Sequence, residues 1–406
     1  GLGAHRNRDG TRTVYVSHEL ASGTPSRPVL GEPRSHGAFV SKLVLDRTGA
    51  VLSGARAYDR VYIDDVYVGP AASESNTVRG FSRFCSGFLA GPAEGFDRYI
   101  YFANEEDDNP ATTFDGKGGL SVAIFDDEAH ALTSLGHFAW ENTLVQRGTG
   151  RATVIIGMED GPANQDLADD NSQLWMYVGT KDRRPGATVL ERNGLVGGTL
   201  YVFRAKDRSV TSEAQFTSGT IRGEWVPIPG ARMMSAAQLE AAADAVGAMA
   251  FARPEDGEFS ARDRNQFFWV TTGGAGSVTG TPPTASGANV LGRVYSLRLS
   301  PGNPAGSATL TVVVNADAVV NAGGDTVLSP DNVGVSHRYL MVQEDGTTQT
   351  RAVMGAKGRD GSIWRFRLDP RAPGGVDPSG TRVVTLAPPG RDGAPVGPGV
   401  WETSGI

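Results

Sequence analysis

The stretch RYIYFANEE, Arg98 to Glu106, runs aromatic and β-branched residues into a pair of acids. Four other segments are built alike: RTVYVSHE (Arg12 to Glu19), ATVIIGMED (Ala152 to Asp160), QFFWVTT (Gln266 to Thr272) and HRYLMVQED (His337 to Asp345). β-Branched and aromatic side chains fit a pleated, half-buried surface, so each segment reads as a strand that ends in polar residues. A second set, QLWMYVGT (Gln173 to Thr180), GTLYVFR (Gly198 to Arg204), GRVYSLRL (Gly292 to Leu299) and GSIWRFRL (Gly361 to Leu368), alternates behind a glycine or polar start. Glycine is 54 of 406 residues, and the glycines punctuate short segments rather than forming a linker, which implies many tight turns. Paired strands recurring this way predict an all-β chain. A β-propeller of about six irregular blades fits better than two sandwiches, because no clear linker divides the sequence. Residues 1–406 are therefore expected to form a single propeller domain, with an irregular Pro/Gly-rich closing segment at 369–406.

One inserted helix is expected. Ser235 and Gln238 form a capping-box pair, and Leu239, Ala242, Val246 and Met249 then share a face. The helix is expected to end just before Arg253-Pro254, where proline lacks a backbone donor and restricts its predecessor.

The 38 basic and 45 acidic residues give a net charge of −7 with no Lys/Arg block, which argues against nucleic acid as a partner. No apolar run reaches the roughly 20 residues of a spanning helix, so no membrane span is expected. Cys85 is the sole cysteine, which excludes an intrachain disulfide and a thiolate-only metal cage and leaves the redox compartment open. The chain opens on Gly1 rather than Met, as a processed chain without its leader would. The sequence does not fix the oligomeric state.

Strands that end in acids can bring carboxylates to one mouth of a propeller channel. There they repel one another unless a hard cation sits among them. The residues that could contribute are Glu19, Glu105, Glu106, Glu141, Glu159, Asp160, Glu255, Asp256, Asp331, Glu344 and Asp345. Each alone is an ordinary turn acid, and only the shared pattern points to metal. Cys85 reads either as a small buried hydrophobe or as a metal thiolate. The acidic run DLADD (Asp166 to Asp170) lacks EF-hand spacing and reads as a solvated loop. The six histidines show no HExxH spacing, and GxSxG, GxxxxGK[ST] and strand-linked GxGxxG motifs are missing from the sequence. Arg253-Pro254-Glu255 is the most pointed local signal. A fixed proline separates a guanidinium that suits phosphate from a carboxylate that suits a cation.

In order along residues 12 to 345, these pieces resemble the PhoX-type alkaline phosphatase superfamily, secreted bacterial propellers that hydrolyse phosphate esters with iron and calcium. The resemblance rests on His18-Glu19, Cys85, Glu105-Glu106, Glu141 in FAWEN, MEDG at Met158 to Gly161, FARPEDG and SPDNVGVS. CSGFLAGPAEG and ANEE depart from the superfamily's wording, as does Trp140 where a histidine precedes the glutamate. The wording is closest to a diverged, phytase-like branch of unassigned activity.

The resemblance implies Cys85 as a metal-bridging thiolate and Glu105 or Glu106, Glu141 and Glu255 as metal ligands. It implies Arg253 as the phosphate contact, with Arg253 and Glu255 the catalytic pair. Glu19, Glu159, Asp160 and Asp331 complete the expected metal set. The implied function is a metal-dependent phosphoesterase acting on small phosphate esters, secreted or periplasmic. The alternatives are a non-enzymatic, calcium-stabilised surface or matrix propeller and a calcium-dependent esterase or lactonase.

Overall fold

The computed structural model describes residues 1–27, 35–71, 79–161, 172–274, 287–345, 348–386 and 403. The DLADD run and most of the closing segment beyond 386 lie outside them. Strands make up 45% of the structure and helices are few. The chain divides into two compact units. One comprises Gly1–Pro162, Trp175–Tyr201 and Pro227–Val246, the other Ala163–Leu174, Val202–Val226 and Gly247–Ile406.

The first unit opens with an antiparallel sheet of Leu2–Arg6, Arg12–His18, Phe39–Leu45 and Val51–Arg56, in that order. A six-stranded sheet follows in the order Val66–Pro70, Arg60–Ile63, Glu128–Ala131, Ser121–Phe125, Ile100–Glu105 and Phe84–Ala90. Only the Arg60–Ile63 and Glu128–Ala131 pair is parallel. Ile100–Glu105 and Ser121–Phe125 are buried at every position, so they read as near-continuous apolar runs rather than alternating ones. Trp140–Val145 and Ala152–Glu159 form a hairpin closed by left-handed Gly148 and Gly150. Phe138 stacks on Trp140 at 4.1 Å and on Trp175 at 5.4 Å, and Gly157 leaves the space the Trp140 ring occupies.

In the second unit, strands run in the order Thr220–Pro227, Ser307–Asn315, Arg293–Arg298, Gln266–Thr271, Pro254–Phe259. A separate antiparallel sheet orders Pro330–Val335, Tyr339–Glu344, Ser362–Arg367 and Thr381–Thr385. Its core joins Val333, Leu340, Val342, Trp364 and Phe366 to Phe268, Val270 and Val294. The all-β expectation holds, and the strand-like RVVTLA stretch of the closing segment forms the strand Thr381–Thr385.

The helix forms with its capping box, Ser235 N–H donating to Gln238 at 3.0 Å and Gln238 N–H to Ser235 Oγ at 3.4 Å. It spans only Ala236–Ala245, shorter than expected. Gly247, in the left-handed region at φ 71°, turns the chain out of the helix, and Met249 instead donates its amide to the Phe203 carbonyl. Among the described residues three further short α-helices correct the expectation of one: Val189–Arg192, Ala316–Asn321 and Thr348–Ala356. The first carries a Thr188/Glu191 capping box. No helix among the described residues is long and apolar enough to cross a membrane.

Candidate metal centre

In the first unit, Glu19 follows the strand Arg12–His18, Cys85 lies in Phe84–Ala90 and Glu106 follows Ile100–Glu105. Their carboxylate and thiol atoms lie within 4.8 Å of one another. Glu19 is exposed, Cys85 half-buried and Glu106 buried. Arg83 ties the group together. It takes left-handed backbone at φ 47°, and its carbonyl accepts the amides of both Cys85 and Glu106 at 3.0 Å. Its guanidinium donates to Glu106 at 2.7 Å and to Glu19 at 3.3 Å. Partial burial opposes the Arg83 charge, but Glu106, Glu19 and the Cys85 thiol outweigh it and raise its pKa.

Glu105 and Glu106, adjacent in sequence, part company. A register shift between Ala103 and Glu105 interrupts the pairing with Phe84–Ala90. Glu105 Oε1 accepts the amides of Ser82 at 2.9 Å and Phe114 at 3.1 Å. Its Oε2 is buried and has no hydrogen-bond partner among the described residues. Loss of water drives the carboxyl pKa well above its ordinary value against those two amides. Glu141 is also buried and sits at a register shift, between Trp140 and Asn142. It accepts the hydroxyl of Ser86, the neighbour of Cys85, at 2.5 Å. Glu159 accepts the Trp175 indole N–H at 2.8 Å, and Asp160 donates its amide to the Ala139 carbonyl.

The second unit has its own grouping. The strands Pro254–Phe259 and Pro330–Val335 each open on a proline and then slip register, between Pro254 and Gly257 and between Pro330 and Val333. The residues in those bulges are Glu255-Asp256 and Asp331-Asn332. A bulge re-aims side chains that regular alternation would send to opposite faces. Oxygens of Glu255 and Asp331 lie within 4.8 Å of each other. Thr272 Oγ1 is 2.9 Å from both Glu255 Oε1 and the Pro330 carbonyl. Arg253, left-handed at φ 59°, places its guanidinium 2.8 Å from Glu255 and 4.0 Å from Asp345.

The carboxyl of Asp331 is pushed up, by loss of water first and then by the charges of Asp345 and Asp256, while Arg253 pulls the other way. Four acids around one arginine is the imbalance that a cation relieves. Asp256 also accepts the Val333 amide at 2.9 Å, which binds the two bulged strands together.

Glu344 belongs to neither grouping. It is fully buried and accepts Arg359 at 2.5 Å, the Leu328 amide at 2.7 Å and the Trp364 indole at 2.9 Å, a structural ion pair. Arg83, Ser86 and Thr272 are the polar partners that sequence reading passed over. Arg83 had one signal, a guanidinium two residues before the only cysteine.

The family model for "Alkaline phosphatase PhoX" matches residues 124–371. No curated protein matches the chain. Among solved structures the chain is similar to Pseudomonas fluorescens PhoX in complex with vanadate, a transition state analogue, at 17% identity and TM-score 0.65. The match covers 95% of this chain and 79% of that one. The likeness gives the fold as all-β and propeller-like.

Proposed function

The chain belongs to the PhoX alkaline phosphatase family, and from that premise we propose that it hydrolyses small phosphate esters at metal ions. The observation that carries the reading is the Arg253 grouping, which lies inside the matched stretch. One guanidinium stands among Glu255, Asp331, Asp345 and Asp256, and loss of water together with the charges of Asp345 and Asp256 raises the carboxyl pKa of Asp331.

The residues suit the metals the family resemblance implies. A thiol between two carboxylates, Cys85 with Glu19 and Glu106, is a donor set for iron. All-oxygen sets, Glu255 with Asp331 and the acids beside them, are those calcium takes. Glu141 would add a carboxylate to the metal set, and the unpartnered buried oxygen of Glu105 is a further acceptor. When bound, the metals polarise the phosphoryl oxygens and supply the nucleophile.

The chain's own residues do the rest. Arg253 binds the phosphate through its planar donors and offsets charge there in the transition state. Glu255 orients that guanidinium from 2.8 Å, and Thr272 holds Glu255 in turn. Arg83 keeps Glu19 and Glu106 beside Cys85. The reaction takes place outside the cytoplasm, as in the family.

The test combines elemental analysis of protein purified without chelator with turnover of p-nitrophenyl phosphate. Bound iron or calcium, and activity that chelation and Arg253→Ala abolish, are the expected results. Metal-free protein, or activity untouched by Cys85→Ala and Glu255→Gln, overturns the reading. Calcium-dependent stability without turnover would instead favour the binding-module alternative.

A further inference from the structure

A second concentration of charge, of opposite sign, lies in the first unit. Arg151, Thr180, Lys181, Asp182, Arg183 and Arg184 line an open cleft of 850 Å³. Four of those side chains are cationic in a chain whose net charge is −7. The one acid is already taken, since Arg184 grips both oxygens of Asp182 at 2.5 to 3.0 Å. Among the described residues Arg151, Lys181 and Arg183 have no carboxylate within ion-pair distance.

Lys181 is the telling member. Its side chain is fully buried, a position lysine rarely occupies without a counter-charge. The ammonium donates to the Ala152 carbonyl at 2.5 Å and lies 5.8 Å from the Phe96 ring centroid. Burial, followed by the charge of Arg183, lowers its pKa to about 8. The Lys181 amide donates to the Arg151 carbonyl, which fixes the two cations side by side at the ends of their strands.

We propose that Arg151, Lys181, Arg183 and Arg184 form a binding site for a phosphate-bearing anion. It shares no residue with the two groupings described above. The planar guanidiniums of Arg151 and Arg183 suit a phosphate's paired oxygens, and buried Lys181 supplies a point charge at the floor. The cleft is much larger than a phosphate ion, so the phosphate of a larger molecule fits. The site does not rest on the phosphatase reading, and a protein with no turnover would still carry it.

Calorimetric titration of the full chain with pyrophosphate tests it, using Arg151→Ala/Arg183→Ala and, separately, Arg253→Ala. Both replaced arginines of the double variant are exposed, so folding, checked by circular dichroism, should persist. Binding retained in Arg253→Ala but weakened roughly tenfold or more in the double variant, with ester turnover unchanged, is the expected result. Lys181→Met should weaken it similarly. Sedimentation with phosphatidylcholine vesicles containing phosphatidate separates the sources. Loss of vesicle binding in the double variant identifies a lipid headgroup, and loss of pyrophosphate binding alone identifies a soluble phosphate. Pyrophosphate and vesicle binding both equal to wild type in the double variant overturns the site.

Discussion

Arg253 and Glu255 hold each other at 2.8 Å across the single proline between them, with Arg253 in left-handed backbone and Pro254 opening a strand. The pair is built by local chemistry. Proline fixes its own φ, and the bulge that follows turns Glu255 back toward the guanidinium. Arg253→Lys keeps a charge but loses the planar fork, so kcat for phosphate esters should fall by about 10²- to 10³-fold. Steady-state kinetics would check this, and a lysine variant within twofold of wild type would contradict the assigned role.

Cys85 should matter for metal rather than for folding. It is half-buried, so Cys85→Ala should leave the circular dichroism spectrum unchanged while iron content falls. Elemental analysis of the two proteins purified side by side reads the difference. Chelation of the wild type should lower Tm, because a metal bound only by the folded state stabilises it by about 2.7 kcal/mol at a hundredfold excess over Kd.

The buried pair Arg359 and Glu344 predicts a stability effect with a defined pH dependence. Both side chains are at most 1% exposed. Arg359→Met leaves the carboxylate buried without its counter-charge and should cost about 3 to 5 kcal/mol. Burial already raises the Glu344 pKa, opposed by Arg359, and removing the arginine raises it further. A carboxyl with a raised folded pKa favours the fold at low pH and loses that contribution as pH rises. The gap between variant and wild type in urea denaturation should therefore be wider at pH 8 than at pH 5.

Asp317 offers a cleaner titration. It accepts the amides of Val290 and Leu291, and loss of water pushes its pKa up to about 6. The folded state holds the proton more tightly than the unfolded chain. Its contribution is complete below about pH 4 and declines as pH rises through 6, by up to about 3 kcal/mol. Asp317→Asn should flatten the stability profile across that window, as denaturation midpoints from pH 4 to 7 would reveal.

Much of the fold was legible because it rests on local patterns. YIYFA and FFWV declare strands by side-chain type, the Ser235/Gln238 box starts the helix where expected, and glycines mark the turns. The helix ends well before Pro254 because Gly247, a nearer residue, is free to adopt positive φ. The site was legible as a list of residue types but not as an arrangement. Glu105, Glu106 and Glu344 look alike in sequence. Glu105 is bound by backbone amides, Glu106 stands beside Cys85 and Glu344 is neutralised by Arg359.

By itself the sequence determined the strand-rich character, the capped helix and the roster of acids, the one cysteine and the Arg253-Pro254-Glu255 run. Those depend on neighbours a few residues away. Only the tertiary structure decided which acids meet. A one-residue bulge reverses the face a side chain occupies, and a carboxylate's charge is set by partners that arrive from distant strands.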